Sequence, residues 1–76
     1  MRDADDNQTA KLIGRQVRAE RRRQGMDQAM LAMVANVAVR SVYRVEHDEP
    51  TVRFDILLRI LGALGLGLEV KSRSEA

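Results

Sequence analysis

The stretch Val39-Arg40-Ser41-Val42-Tyr43-Arg44-Val45-Glu46 sets two arginines one helical turn apart, with a tyrosine between them. A guanidinium is a planar fork of N–H donors that meets a phosphate, or the O6 and N7 edge of guanine, through paired hydrogen bonds. Tyrosine adds a hydroxyl for a phosphate oxygen and a ring face for stacking. These groups suit gripping a polyanion rather than making or breaking bonds. The remaining inventory agrees. The chain has no cysteine and one histidine, His47, which excludes disulfides, thiolate metal centres and an ordinary zinc site. No Gly-rich phosphate loop or nucleophile elbow is present, and the adjacent acids Asp48 and Glu49 before Pro50 read as a polar turn. No catalytic residue, metal or cofactor is expected.

Charge is distributed unevenly. The net charge is +2, yet from Lys11 to Arg44 eight Lys/Arg face only Glu20 and Asp27, while residues 1–6 and 45–60 are both acidic on balance. A basic first half favours a polyanionic partner. Charge alone fits a solvated, arginine-rich helix face equally well, and Arg22 and Arg23 are read as solvated. No apolar run approaches a membrane span of roughly 20 residues, and the acidic start lacks the apolar core of a signal peptide. A cytoplasmic protein is expected.

Four helices are predicted to position the arginines. Residues 1–8 read as a frayed acidic lead-in. A first helix runs from about Thr9 to Gln24, with Ile13 and Val17 on one side and Gly25 closing it. Asp27 caps a second helix, Gln28 to about Ala35, which buries Leu31, Ala32 and Ala35. Asn36, tolerant of left-handed backbone, makes a tight turn. A third helix from Val39 to Glu46 then places Val42 and Val45 inside and Arg40, Tyr43 and Arg44 outside, with Val39 at the edge. Thr51 caps a fourth helix to about Leu64, with Phe54, Leu57, Leu58, Leu61 and Leu64 as its core stripe. Met30 and Met33 either fill gaps in the core or mark a partner surface, and core filling is the expectation.

Beyond Gly65 the period changes. Leu66, Leu68 and Val70 alternate with Gly67, Glu69 and Lys71, which predicts a β-strand over 66–71 followed by a tail at 72–76. A lone strand has nothing to pair with in its own chain, so the same strand of a second copy is the expected partner. Ile56 and Ile60 lie off the main stripe of the fourth helix and are expected to join that homodimer interface with Leu66, Leu68 and Val70. A chain this small builds a core worth only a few kcal/mol, and it gains from such a partner. The alternative is an extended tail lying on its own domain.

Two helices joined by a tight turn, the second offering polar side chains outward, describe either a packing αα-hairpin or a helix-turn-helix. The pieces Arg21-Arg22-Arg23-Gln24-Gly25, Asp27-Gln28-Ala29-Met30-Leu31-Ala32, Val37 and Ser41-Val42-Tyr43-Arg44-Val45-Glu46 resemble the phage-repressor and Cro type, or XRE, helix-turn-helix family over residues 11 to about 65. The resemblance implies a mainly α, lambda-repressor-like bundle over 9–65 that binds double-stranded DNA as a transcriptional regulator, most naturally a repressor on a palindromic operator. It implies DNA contacts by Gln28, Val39, Arg40, Ser41, Tyr43 and Arg44, with Arg53 beside them. It also implies a semi-buried ion pair between Arg21 and Glu46. The segment Pro50-Thr51-Val52-Arg53-Phe54 through Val70 resembles a subgroup that includes HipB-type antitoxins, which implies a kinase-like toxin as a second possible partner.

The chain departs from the family pattern at three places. Ala38 stands where a Ser or Thr usually caps the recognition helix, and Asn36 stands for the common Gly. His47-Asp48-Glu49 is acidic where relatives are basic or neutral, which weakens binding to phosphates.

Overall fold

Three of the four helices end in the same way, and that repeated closure shapes the molecule. A computed structural model describes residues 3–47, 49 and 51–72, with side chains from residue 8 onward. Helix α1 spans Asp3–Arg23, α2 Gln28–Ala35, α3 Val39–Glu46 and α4 Phe54–Ala63. After α1, Gly25 takes φ +75°, its N–H donates to the Arg22 carbonyl and the Met26 N–H to the Arg21 carbonyl. After α2, Asn36 takes φ 59° and ψ 50°, with the matching bonds Asn36 to Met33 and Val37 to Ala32. After α4, Gly65 takes φ +76°, with Gly65 to Gly62 and Leu66 to Leu61. Each closure spends a left-handed residue to satisfy orphan carbonyls, and each then turns an apolar residue back onto the core: Met26, Val37 and Leu66.

The core is small and shared by all four helices. Val17 of α1, Leu31, Ala32 and Ala35 of α2, Val42 and Val45 of α3, and Ile60 and Leu61 of α4 with Leu64 are buried together. The predicted inward residues of the first three helices are thus the observed ones, with Ile13 packed against the cluster. Helix α3 packs on α1, α2 and α4, so its position is set from several sides.

Several boundaries and faces differ from expectation. Helix α1 begins at Asp3 rather than near Thr9, since no Gly or Pro interrupts residues 3–8. Helix α4 begins at Phe54, not at Thr51. Val52 is drawn onto the core and Arg53 is extended, at φ −60° and ψ 142°, so Arg53 and not Thr51 occupies the cap position. The phase of α4 also differs. Ile60, expected at an interface, is 0% exposed and belongs to the core of its own chain, whereas Phe54 is 64% exposed and Leu58 is also at the surface. The helix has more apolar residues than one small core can cover, so periodicity alone could not say which edge stays outside. Ile56 is half-buried against the core. Met30 and Met33 are likewise exposed rather than core-filling, beside an exposed Val34.

No β-strand forms among the described residues, so the expected strand at 66–71 does not pair within the chain. Leu66 is tucked in, while Leu68 and Val70 face solvent. Asp48 and Pro50 of the acidic turn, and the tail beyond Ser72, lie outside the described residues.

Candidate nucleic-acid interface

The outer face of α3 holds the arginines, and a buried polar cluster beneath it fixes where that face points. Arg21 at the end of α1 donates from Nε to Glu46 Oε2 at 2.7 Å and from Nη2 to Glu46 Oε1 at 2.9 Å. Its third nitrogen, Nη1, donates to the Met26 carbonyl at 2.8 Å. Gln28 at the start of α2 donates from Nε2 to Glu46 Oε1 at 3.1 Å. The Glu46 carboxylate therefore gathers the end of α1, the start of α2 and the end of α3, and Arg21 ties in the loop after α1. Both members of the ion pair are buried in the chain, and no buried side-chain nitrogen or oxygen among the described residues lacks a partner. Burial by itself would raise the Glu46 carboxyl. The hydrogen bonds from Arg21 and Gln28, with the charges of Arg21 and Arg18, outweigh that and hold it below its ordinary value of 4.5. The same contact raises Arg21.

Asp27 caps α2 as expected, its Oδ1 accepting from the Met30 N–H at 2.8 Å. Ala38 precedes α3 in extended backbone with no side-chain cap, so the helix that carries the arginines starts without one.

On the surface of α3, Val39 and Tyr43 are each about half exposed, Arg40 is exposed and Ser41 and Arg44 are partly covered. Arg40 makes no ion pair with another described residue. Arg44 is engaged: its Nε lies 3.7 Å from Glu49 Oε1, and the Glu49 N–H donates to the Arg44 carbonyl at 3.1 Å. An eight-residue helix is about 12 Å long, comparable to the width of the major groove.

The expected contact residues separate by position. Val39, Arg40, Tyr43 and Arg44 share the outer face of α3. Gln28 does not offer itself fully, because its amide nitrogen already donates inward to Glu46 and one N–H remains. Arg53 lies at the start of α4, paired with Asp55 at 3.1 Å. Among the other arginines, Arg23 is paired with Glu20 on α1, and Arg22 is exposed.

Besides the inward turn of Gln28, three contacts lie outside the sequence-based expectations. The His47 ring stacks on Tyr43, with centroids 3.7 Å apart and planes 18° from parallel, and its Nδ1 lies 2.8 Å from the Tyr43 carbonyl. The four-residue spacing of the two rings was the available signal. Gln24 Nε2 donates to the Leu64 carbonyl at 3.0 Å, tying the ends of α1 and α4. Arg44 and Glu49 are five apart across a helix end, a spacing with no simple sequence rule.

A family model described as helix-turn-helix matches residues 17–71. The chain belongs to the XRE-type helix-turn-helix family. A helix-turn-helix domain of this type is a DNA-binding transcriptional regulator, and its second helix of the motif, here α3, is the element presented outward. The matched span of this helix-turn-helix chain starts within α1 and extends past α4, so it covers the whole core. Neither the comparison with curated proteins nor that with solved structures found a match. No helix among the described residues is long and apolar enough to cross a membrane, and no group of three potential metal-ligating side chains occurs among them.

Proposed function

We propose that this helix-turn-helix protein is a repressor that binds a palindromic operator as a homodimer. The observation that carries the reading is the outward placement of Arg40 and Arg44 on a helix anchored from below by the Arg21–Glu46 pair. Each α3 enters the major groove of one half-site, with half-sites spaced about one helical turn, roughly 34 Å. Arg40 and Arg44 read base edges, Val39 offers an apolar contact to a thymine methyl, and Ser41, Tyr43, Arg53 and the remaining Gln28 N–H hold phosphates. Dimerisation is supported by apolar groups that the small core leaves outside: Phe54 and Leu58 on α4, and Leu68 and Val70 in the segment after it. Leu66 and Ile56 flank that surface, and pairing of 66–71 with the same segment of a second copy satisfies its backbone. The place of action follows from the partner: the bacterial nucleoid, in the cytoplasm.

Nuclease footprinting of the DNA flanking its own gene tests the reading. Two protected segments about one helical turn apart are expected, and uniform cleavage at saturating protein rejects it.

A second reading, an antitoxin that binds a kinase-like toxin and autoregulates, is favoured by one feature. Met33 is 79% exposed on α2, beside Met30 and Val34, on a side that packs on no other helix. Binding of a kinase-like protein encoded beside this gene, lost in Met33→Glu, distinguishes that role.

A further inference from the structure

We propose that Glu49 is a positioning residue that aims Arg44 at one base of the half-site, exchanging general DNA affinity for sequence preference. The inference rests on the reading of Arg44 as a base-contacting residue and assigns a partner to it. Two contacts place Glu49. Its N–H donates to the Arg44 carbonyl at 3.1 Å, which pins the backbone of the acidic turn onto the last turn of α3. Its Oε1 then lies 3.7 Å from Arg44 Nε. The carboxylate thus sits on the Nε edge of the guanidinium as an ion pair, outside hydrogen-bond range, and leaves Nη1 and Nη2, the end of the fork, to meet guanine O6 and N7.

Tyr43 on the adjacent position is stacked with His47, so it too has a local partner. An unrestrained arginine reaches phosphates and several base edges alike, and its long side chain loses rotamer freedom on binding. A carboxylate on Nε removes part of that freedom beforehand. The same carboxylate is a negative charge beside the DNA backbone, so it weakens attraction to any duplex. Two opposed effects follow from one residue: less affinity for DNA in general and more discrimination at one base pair. An acidic turn that only repelled phosphates would lower affinity for all sequences equally. A purely structural turn would change the melting temperature.

The test compares the full chain, Glu49→Gln, Glu49→Ala and Arg44→Ala by binding-site selection. The probe is a random duplex library of about 30 base pairs, long enough for two half-sites, with titration on an unrelated duplex alongside. Glu49→Gln and Glu49→Ala are expected to bind the unrelated duplex about two- to fivefold more tightly and to lose preference at one base pair per half-site by a similar factor, the range of an exposed ion pair. That base pair is the one at which Arg44→Ala loses its preference. Thermal melts of the Glu49 variants should match the unaltered chain. Preference retained in both Glu49 variants, while Arg44→Ala loses it, overturns the role of Glu49 and leaves the reading of Arg44 standing. Unchanged preference in Arg44→Ala overturns both. A lowered melting temperature with uniformly weaker binding in the Glu49 variants assigns the residue to folding and overturns the proposal.

Discussion

Arg21 and Glu46, twenty-five residues apart, meet through two hydrogen bonds of 2.7 and 2.9 Å in a buried site. This pair joins the helix that begins the core to the helix that displays the arginines. Taking one member away leaves the other charged and buried, which costs far more than the pair's net contribution. Arg21→Ala and Glu46→Ala are each expected to destabilise the domain by about 3–5 kcal/mol in denaturant unfolding. The double variant Arg21→Met/Glu46→Leu removes both charges and should recover most of that loss. Additive losses in the double variant would contradict the coupling.

The lowered Glu46 carboxyl makes stability depend on pH with a defined sign. A group whose folded-state value lies below its unfolded value contributes stability above the unfolded value, here about 4.5, and loses it as pH falls through the folded value. The melting temperature should therefore drop as the pH is taken below about 4.5. Glu46→Gln, less stable at neutral pH, should show a shallower drop over the same window. Glu20 is also lowered, to about 2, by hydrogen bonds from Arg23 and Gln24, but it titrates in both proteins and cancels in the difference. Parallel acid profiles for the two proteins would show that Glu46 is not the linked group.

The turn between α2 and α3 is open to change in both directions. Asn36 sits at φ 59°, where a β-branched side chain is strained, so Asn36→Val should lose about 1–2 kcal/mol while Asn36→Gly stays close to neutral. Ala38 caps α3 without a side-chain bond, so Ala38→Ser should gain about 1 kcal/mol. Thermal denaturation at fixed pH measures all three. A destabilised Ala38→Ser would mean that the existing bond from the Ser41 N–H to the Ala38 carbonyl already serves the start of α3.

Dimerisation through the segment after α4 predicts a specific sensitivity. Leu68 and Val70 are exposed in the single chain, Val70 at 93%, so charges there leave the core intact. Leu68→Asp/Val70→Asp should sediment as a monomer with unchanged helical content, and should bind a two-half-site operator much more weakly. An unaltered sedimentation coefficient would place the interface elsewhere.

The sequence and the structure agree best where chemistry is local. Asp27, Gly25 and Asn36 each signal a helix end through their own backbone and hydrogen-bonding preferences, and each occupies the expected place. The short third helix is also legible, because Val42 and Val45 leave only one amphipathic phase. Helix α4 was not, since a nearly all-apolar segment carries no contrast from which to read its rotation, and Ile60 moved from surface to core as a result. The start of α4 was misplaced for a tertiary reason, the pull of Val52 onto the core. In the candidate site, spacing alone puts the arginines and tyrosine on the outer face of α3 but says nothing of the restraints on them. The Glu49 and His47 contacts arise from how the chain folds back at the end of α3, and Gln28 is drawn inward by a carboxylate eighteen residues away.

The central claim is that the outer face of α3 recognises DNA, and a titration of the Arg40→Ala and Arg44→Ala variants on the operator found by selection tests it most directly. With Arg15→Ala, an exposed arginine of α1, as the control, each α3 variant should lose about 1–3 kcal/mol of binding free energy on the selected site and much less on unrelated duplex. If both bind the selected site as tightly as the unaltered chain, α3 is not the recognition element and the account fails.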